Sequence, residues 1–173
     1  MEDRTSELTL RPFRLSDIDN FMVWATDDLV SQFCRFKTYT SREAGIAYLK
    51  EQAIPHPWLR AICLDDRAIG SISVTQGSGG ALCRGELGYV LASKYWGQGL
   101  TPHAVKMALS SVFKDISELE RVEALVDAEN VRSQRVLEKV GFVRDGFLRK
   151  YERVKGRTIN CMLYSFLSTD TIK

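Results

Sequence analysis

The chain has 173 residues, 45% of them hydrophobic and 27% charged, close to average globular usage, which excludes disordered, collagen-like and coiled-coil classes. A count of 24 basic against 22 acidic residues leaves a net charge of +2, too small a field to argue for nucleic acid or a membrane surface. The length predicts one domain over residues 1–173, with a core from about 8 to 168 that needs no disulfide or metal staple.

The two histidines, His56 and His103, are far apart, so no metal site is expected. No apolar run approaches the ~18–20 residues that span a bilayer. The segment Met1–Thr5 is acidic and polar, without the apolar stretch of a secretory signal. Cys34, Cys63, Cys83 and Cys161 form no CxxC pair and read as buried free thiols in a reducing compartment. The cytoplasm is the expected location, with the nucleus as alternative.

In chain order, Leu8–Phe13 alternates as a first strand, and Pro12 hints at a sheet edge. Ser16-Asp17 offers a helix cap before Ile18, Phe21, Met22 and Trp24 at helical spacing. Thr40-Ser41-Arg42-Glu43 reads as a capping box with the Thr40 hydroxyl as cap, opening a helix toward Ala53 that stops before Pro55. Residues 61–64 and 68–74 form a hairpin around Asp65-Asp66-Arg67. Gln76–Gly80 is a flexible loop, and Gly85–Leu91 is a further strand.

Thr101 is expected to cap the next helix, with Pro102 at its first position; Val105, Ala108, Leu109, Val112 and Phe113 mark its apolar face. Arg121–Val126 is a strand. Asn130 caps a short helix carrying Val136, Leu137 and Val140, which Gly141 ends. Phe142 to Leu167 reads as two strands turning at Lys155-Gly156. The order β-α-α-β-β-β-α-β-α-β-β is mixed α/β.

The segment Tyr95-Trp96-Gly97-Gln98-Gly99-Leu100-Thr101-Pro102 lies between a strand and a helix. Its glycines let backbone amides approach a ligand, and a helix N-terminus attracts anions, a pyrophosphate above all. A tight turn without ligand is the plainer alternative. A dinucleotide fingerprint is disfavoured, because Pro102 stands where the third glycine belongs and Ala92–Trp96 separates the strand from Gly97.

These segments, with Glu86-Leu87-Gly88-Tyr89-Val90-Leu91 and the stretch from Asn130 to Phe142, resemble the GNAT superfamily of acyl-CoA N-acyltransferases. The likeness is closest to its RimJ/RimL-like branch and covers nearly the whole chain. It implies a mostly antiparallel sheet splayed at an acetyl-CoA cleft and flanked by helices. The pantetheine arm would pair with the backbone of Tyr89, Val90 and Leu91. The pyrophosphate would rest on Gly97, Gln98, Gly99, Leu100 and Thr101, with Trp96 at the head of the loop. Asn130 and Ser133 would touch the pantetheine or its sulfur. Trp96 and Thr101 replace the first and last residues of the superfamily's usual loop, and His103 stands where the branch often has glutamate.

The implied activity is direct transfer of acetyl from acetyl-CoA to a primary amine, of a protein N-terminus or a small molecule. The alternatives are a non-catalytic acyl-CoA sensor and, further off, a dinucleotide-dependent oxidoreductase. The glutamate and tyrosine that some superfamily members use as acid and base are replaced by Leu125 and Leu137. Glu86 is then the candidate base; a strand-end carboxylate paired with Arg84 is the alternative. Ser133 is the candidate that stabilises the thiolate. Tyr89 and Tyr164 are possible acids, with strand packing the plainer role. Trp24, Phe33, Phe36 and Trp58 are candidates for the acceptor's mouth. Lys150, Arg153, Lys155 and Arg157 read as a solvated hairpin, or as contacts for an acidic acceptor.

Overall fold

The computed structural model describes residues 6–173, so Met1–Thr5 lies outside the described residues. The strands are β1 (Leu8–Arg11), β2 (Leu59–Leu64), β3 (Arg67–Gln76), β4 (Arg84–Leu91), β5 (Arg121–Asp127), β6 (Val143–Val154) and β7 (Arg157–Leu167). The helices are α1 (Ile18–Ala25), α2 (Asp28–Ser31), α3 (Arg42–Tyr48), α4 (Leu100–Asp115) and α5 (Val131–Val140). The short α2 is the one helix beyond the expected order. No helix among the described residues is long and apolar enough to cross a membrane.

One sheet takes all seven strands in the order β1-β2-β3-β4-β5-β7-β6. Only β4 and β5 run parallel. The β2–β3 turn is two residues, with Asp65 and Asp66 at φ 49° and 64°, the left-handed pair that matches strand twist; Arg67 already belongs to β3. At the edge, Arg11 joins Asp17 and Asp66 at 2.8 Å each, tying β1 to the start of α1 and to this turn.

Each face of the sheet carries its own core. On one side Ala104, Val105, Ala108, Leu109 and Val112 of α4 pack with Ile72, Val74, Leu87 and Leu91. On the other, Phe21, Trp24 and Ala25 of α1 pack with Ala61, Cys63 and Ala68. Fully burying an aliphatic side chain contributes about 1.5–3 kcal/mol, so these spacings hold the helices on opposite faces.

Two caps differ from expectation. The hydroxyl that accepts the Ala44 amide is Ser41's, at 3.2 Å, one residue after Thr40. The cap of α4 is Gly99 at φ 75°, so Leu100 is the first helical residue, Thr101 the second and Pro102 the third. Proline costs nothing there, because the first amides of a helix have no internal partner. The α5 cap is as expected: Asn130 Oδ1 accepts the Ser133 amide at 3.2 Å, and Gly141 closes the helix at φ 114°.

Candidate active site

Strands β4 and β5 are paired only over Arg84–Glu86 and Arg121–Glu123. Beyond Glu86 they part, and a cleft of about 1020 Å³ opens between them, bounded also by the α2–α3 connection, Trp96 and the start of α5. The Ala92 amide donates to the Ile69 carbonyl at 2.8 Å. By the alternation of an antiparallel ladder, the amides of Gly88 and Val90 then face β3, while those of Tyr89 and Leu91 face the open edge. An extended amide-bearing chain finds an unpaired strand edge there.

The loop before α4 is a second stretch of open backbone beside the cleft. Gly97 and Gly99 have φ of 76° and 75°, and a Cβ at either would meet nothing within 4 Å. The left-handed backbone, rather than crowding, calls for glycine here. No side chain caps α4, so the amides of Leu100 and Thr101 are left for an anion. The Trp96 indole donates to the Leu91 carbonyl at 2.9 Å, and the Arg132 guanidinium lies 4.0 Å from the Trp96 ring centre, linking the loop to α5. Open amides at a helix start, beside an open strand edge, fit a pyrophosphate joined to a pantetheine arm.

On α5, Ser133 Oγ lies 2.6 Å from the Tyr89 hydroxyl. Burial pushes the Tyr89 phenol well above its ordinary value, against the opposing hydrogen bond from Ser133. Leu125 lines the cleft and Leu137 is fully buried; neither can move a proton. Tyr164 is buried and donates to Glu138 Oε1 at 3.0 Å; burial first, then this bond, pushes its phenol up to about 12. It serves the core.

Glu86 lies on the opposite face of β4 from Tyr89. The β3–β4 register is unbroken, with Glu86 opposite Thr75, Gly88 opposite Ser73 and Val90 opposite Ser71. Without a bulge, Glu86 and Val90 share one face, and Glu86 borders the cleft. Its ion-pair partner is not Arg84, which binds Glu123 at 2.7 Å. It is Arg35, whose Nη1 lies 2.9 Å from Glu86 Oε1. Arg35 also reaches Glu152 through Nε at 2.9 Å and Nη2 at 3.4 Å.

His56 also lines this side. The Trp58 amide donates to its Nδ1 at 3.0 Å, so Nε2 carries the proton and donates to Thr75 Oγ1 at 3.1 Å. Desolvation, then nearby Arg60, lowers its pKa. The neutral ring thus has no free lone pair with which to accept a proton.

Of the four aromatic residues expected at the mouth, Phe33 and Phe36 line the cleft. Trp24 and Trp58 do not: they are 1% and 2% exposed, within the two cores, and the Trp58 indole donates to Asp115 at 2.8 Å. Of the terminal basic stretch, Lys155 donates to the Ser31 carbonyl at 2.6 Å, and Arg157 pairs with Asp127 and Glu129. Cys63 and Cys161 are buried as expected, whereas Cys83 is exposed and Cys34 half-buried.

Sequence patterns pointed to neither Arg35 nor Glu152, and they raised Tyr89 as a possible acid but not as the partner of Ser133. Arg35 and Glu152 are separated by 117 positions, and no local spacing signals such a pair.

Comparison with known proteins matches this geometry. The family model described as the acetyltransferase (GNAT) domain matches residues 7–143. An uncharacterized N-acetyltransferase, p20, of Bacillus licheniformis is 29% identical over 175 residues, 96% of each chain. Mycobacterium smegmatis RimJ, solved with CoA-disulfide, superposes with a TM-score of 0.78 at 26% identity, over 93% of this chain and 82% of that one. A GNAT-family acetyltransferase from Bacillus anthracis shares the fold, with a TM-score of 0.84 over 96% and 98% of the chains at 23% identity. The fold and cleft are those of an acyltransferase. The chain belongs to the GNAT acetyltransferase family, whose members use acetyl-CoA as co-substrate and an amine as acceptor.

Proposed function

We propose that the chain, acting as one catalytic unit, transfers acetyl directly to a primary amine, on a small molecule or a protein N-terminus. The amine enters on the Glu86 face of β4, and the thiolate leaves on the Ser133 face. The observation that supports this is the parting of β4 and β5 just beyond Glu86, with a carboxylate on one side of the opening and a hydroxyl on the other.

Bound acetyl-CoA supplies an activated thioester. Its binding is assigned to the open backbone edge of Tyr89, Val90 and Leu91, to the amides of Gly97, Gln98, Gly99, Leu100 and Thr101, and to walls formed by Trp96, Asn130 and Ser133. A primary amine with a pKa of roughly 8 to 10 arrives as the ammonium, and Glu86 takes its proton. The Leu91 amide donates to the thioester oxygen as charge develops. Ser133 donates a hydrogen bond to the departing sulfur.

Cys34 and Cys161 border the cleft, yet burial holds the Cys34 thiol up at about 11 and raises that of Cys161. A protonated thiol is a poor nucleophile, which favours direct transfer over an acetyl-cysteine. The free thiols fit a reducing compartment such as the cytoplasm.

The test is CoA release, read as free thiol, over a panel of peptide N-termini and small amines. Turnover with intersecting initial-rate lines is expected. Parallel lines would indicate a covalent enzyme intermediate. Binding of acetyl-CoA with no release to any amine would leave the sensor reading.

A further inference from the structure

Two carboxylates from distant strands, Glu86 of β4 and Glu152 of β6, converge on one guanidinium at the acceptor side of the cleft. Arg35 comes from the connection between α2 and α3, and its side chain is 57% exposed. A pair this exposed contributes little stability, about 0–1 kcal/mol, so another cation can displace it cheaply. Removing it would leave two like charges facing the same space.

The hydrogen-bonding capacity is lopsided. Arg35 already directs Nε, Nη1 and Nη2 at carboxylates. Glu86 Oε2 has no partner among the described residues, and each carboxylate oxygen can accept more than one hydrogen bond. The spare capacity is for donors. The remaining acids of the cleft, Asp127 and Glu129, face Arg157 instead, so Glu86 and Glu152 share one cation, Arg35. Phe33 and Phe36, on the same connection as Arg35, also line the cleft, and aromatic faces attract cations.

We propose that Glu86 and Glu152 form a subsite for a short diammonium acceptor, with Arg35 as its internal stand-in. The reacting amine takes the place of Nη1 on Glu86, and a second ammonium a few bonds away pairs with Glu152. One guanidinium spans both carboxylates, so the spacing suits a short diamine. An acceptor with a carboxylate near its amine meets Glu152 and is refused. This rests on the reading of Glu86 as the proton acceptor, and adds the second charge that the acceptor carries.

The experiment compares three acceptors built on the same three-carbon chain: trimethylenediamine, propylamine and β-alanine. Wild type is expected to use them in that order of kcat/KM. Glu152→Gln should cut the preference for diamine over propylamine by about tenfold, the scale of a lost charged hydrogen bond. Arg35→Ala should lower KM for the diamine, because nothing then has to be displaced. Diamine binding is also read without turnover, as a rise in Tm that Glu152→Gln removes. A preference for β-alanine that Arg35→Ala abolishes would overturn the proposal, making Arg35 a reader of acceptor carboxylates. An unchanged diamine-to-propylamine ratio in Glu152→Gln would overturn it too. Diamine binding that depends on Glu152, without CoA release from any acceptor, would instead sink the assignment of Glu86 and leave the subsite standing.

Discussion

The Tyr89 hydroxyl lies 2.6 Å from Ser133 Oγ, and this hydrogen bond joins β4 to α5 across the gap where β4 and β5 have parted. Tyr89 Oη also lies 3.3 Å from the Ser133 carbonyl, as its donor. When the phenol donates to Oγ instead, the serine proton is free for another acceptor, which the proposed mechanism makes the departing sulfur. With its pKa raised by burial, the phenol keeps its proton, and its part in the proposed mechanism is to orient Ser133. Tyr89→Phe is expected to lower kcat about threefold to tenfold, the scale of one net hydrogen bond, with acetyl-CoA affinity unchanged. In a Ser133→Ala background the same change should cost nothing further. An additive loss in that double-mutant cycle would mean that Tyr89 acts through packing alone.

In the proposed mechanism Glu86→Gln keeps the shape and one acceptor oxygen but removes the base. The loss should fall on kcat, by about 10²–10⁴-fold for a positioned general base. Raising pH should restore part of it, because more acceptor is already neutral. A carboxylate that merely held the ammonium would instead show its loss in KM, and the pH–rate profile separates the two.

Gly99→Asp tests the anion cradle. Gly99 sits at φ 75°, which an L side chain adopts with strain, and the new carboxylate would meet the pyrophosphate. Saturating acetyl-CoA stabilises the folded state by mass action, about 2.7 kcal/mol at a hundredfold excess over Kd, and the variant should lose the rise in Tm that this produces. NAD should shift neither protein.

The Arg11–Asp17 pair makes acid stability measurable. Asp17 is buried, which raises its pKa, but the Arg11 guanidinium and the Arg14 amide outweigh this and hold it below the ordinary value. A group depressed in the folded state contributes its stability above the unfolded pKa of about 3.9 and loses it as pH falls through the lower folded value. Asp17→Asn should cost about 3 kcal/mol at neutral pH, the low end for a broken buried pair, since Arg11 keeps Asp66. Below about pH 4 the Tm-versus-pH curve of the variant should fall less steeply than that of wild type; parallel acid limbs would remove Asp17 from the account.

By itself the sequence determined what neighbours in the chain decide. Asn130 and Gly141 close a helix within a few residues of themselves, and Gly97 and Gly99 mark the loop before α4, although their left-handed backbone is seen only in the structure. The apolar spacing of 104–112 sets the buried face of α4. Hydrogen bonds and φ limits of this kind are local, so spacing reveals them, although the start of α4 moved from Thr101 to Gly99 because a left-handed glycine can end the loop without a side-chain cap. Tertiary structure alone decided what depends on register and on the parting of β4 from β5. The unbroken β3–β4 ladder turned Glu86 to the face opposite Tyr89, the gap let Tyr89 reach Ser133, 44 positions away, and the fold brought Arg35 between Glu86 and Glu152. Trp24 and Trp58 went into the cores because each had a helix or sheet face to cover. Contacts across a sheet leave no period in the chain, since their spacing is set by how far the intervening segments travel before returning.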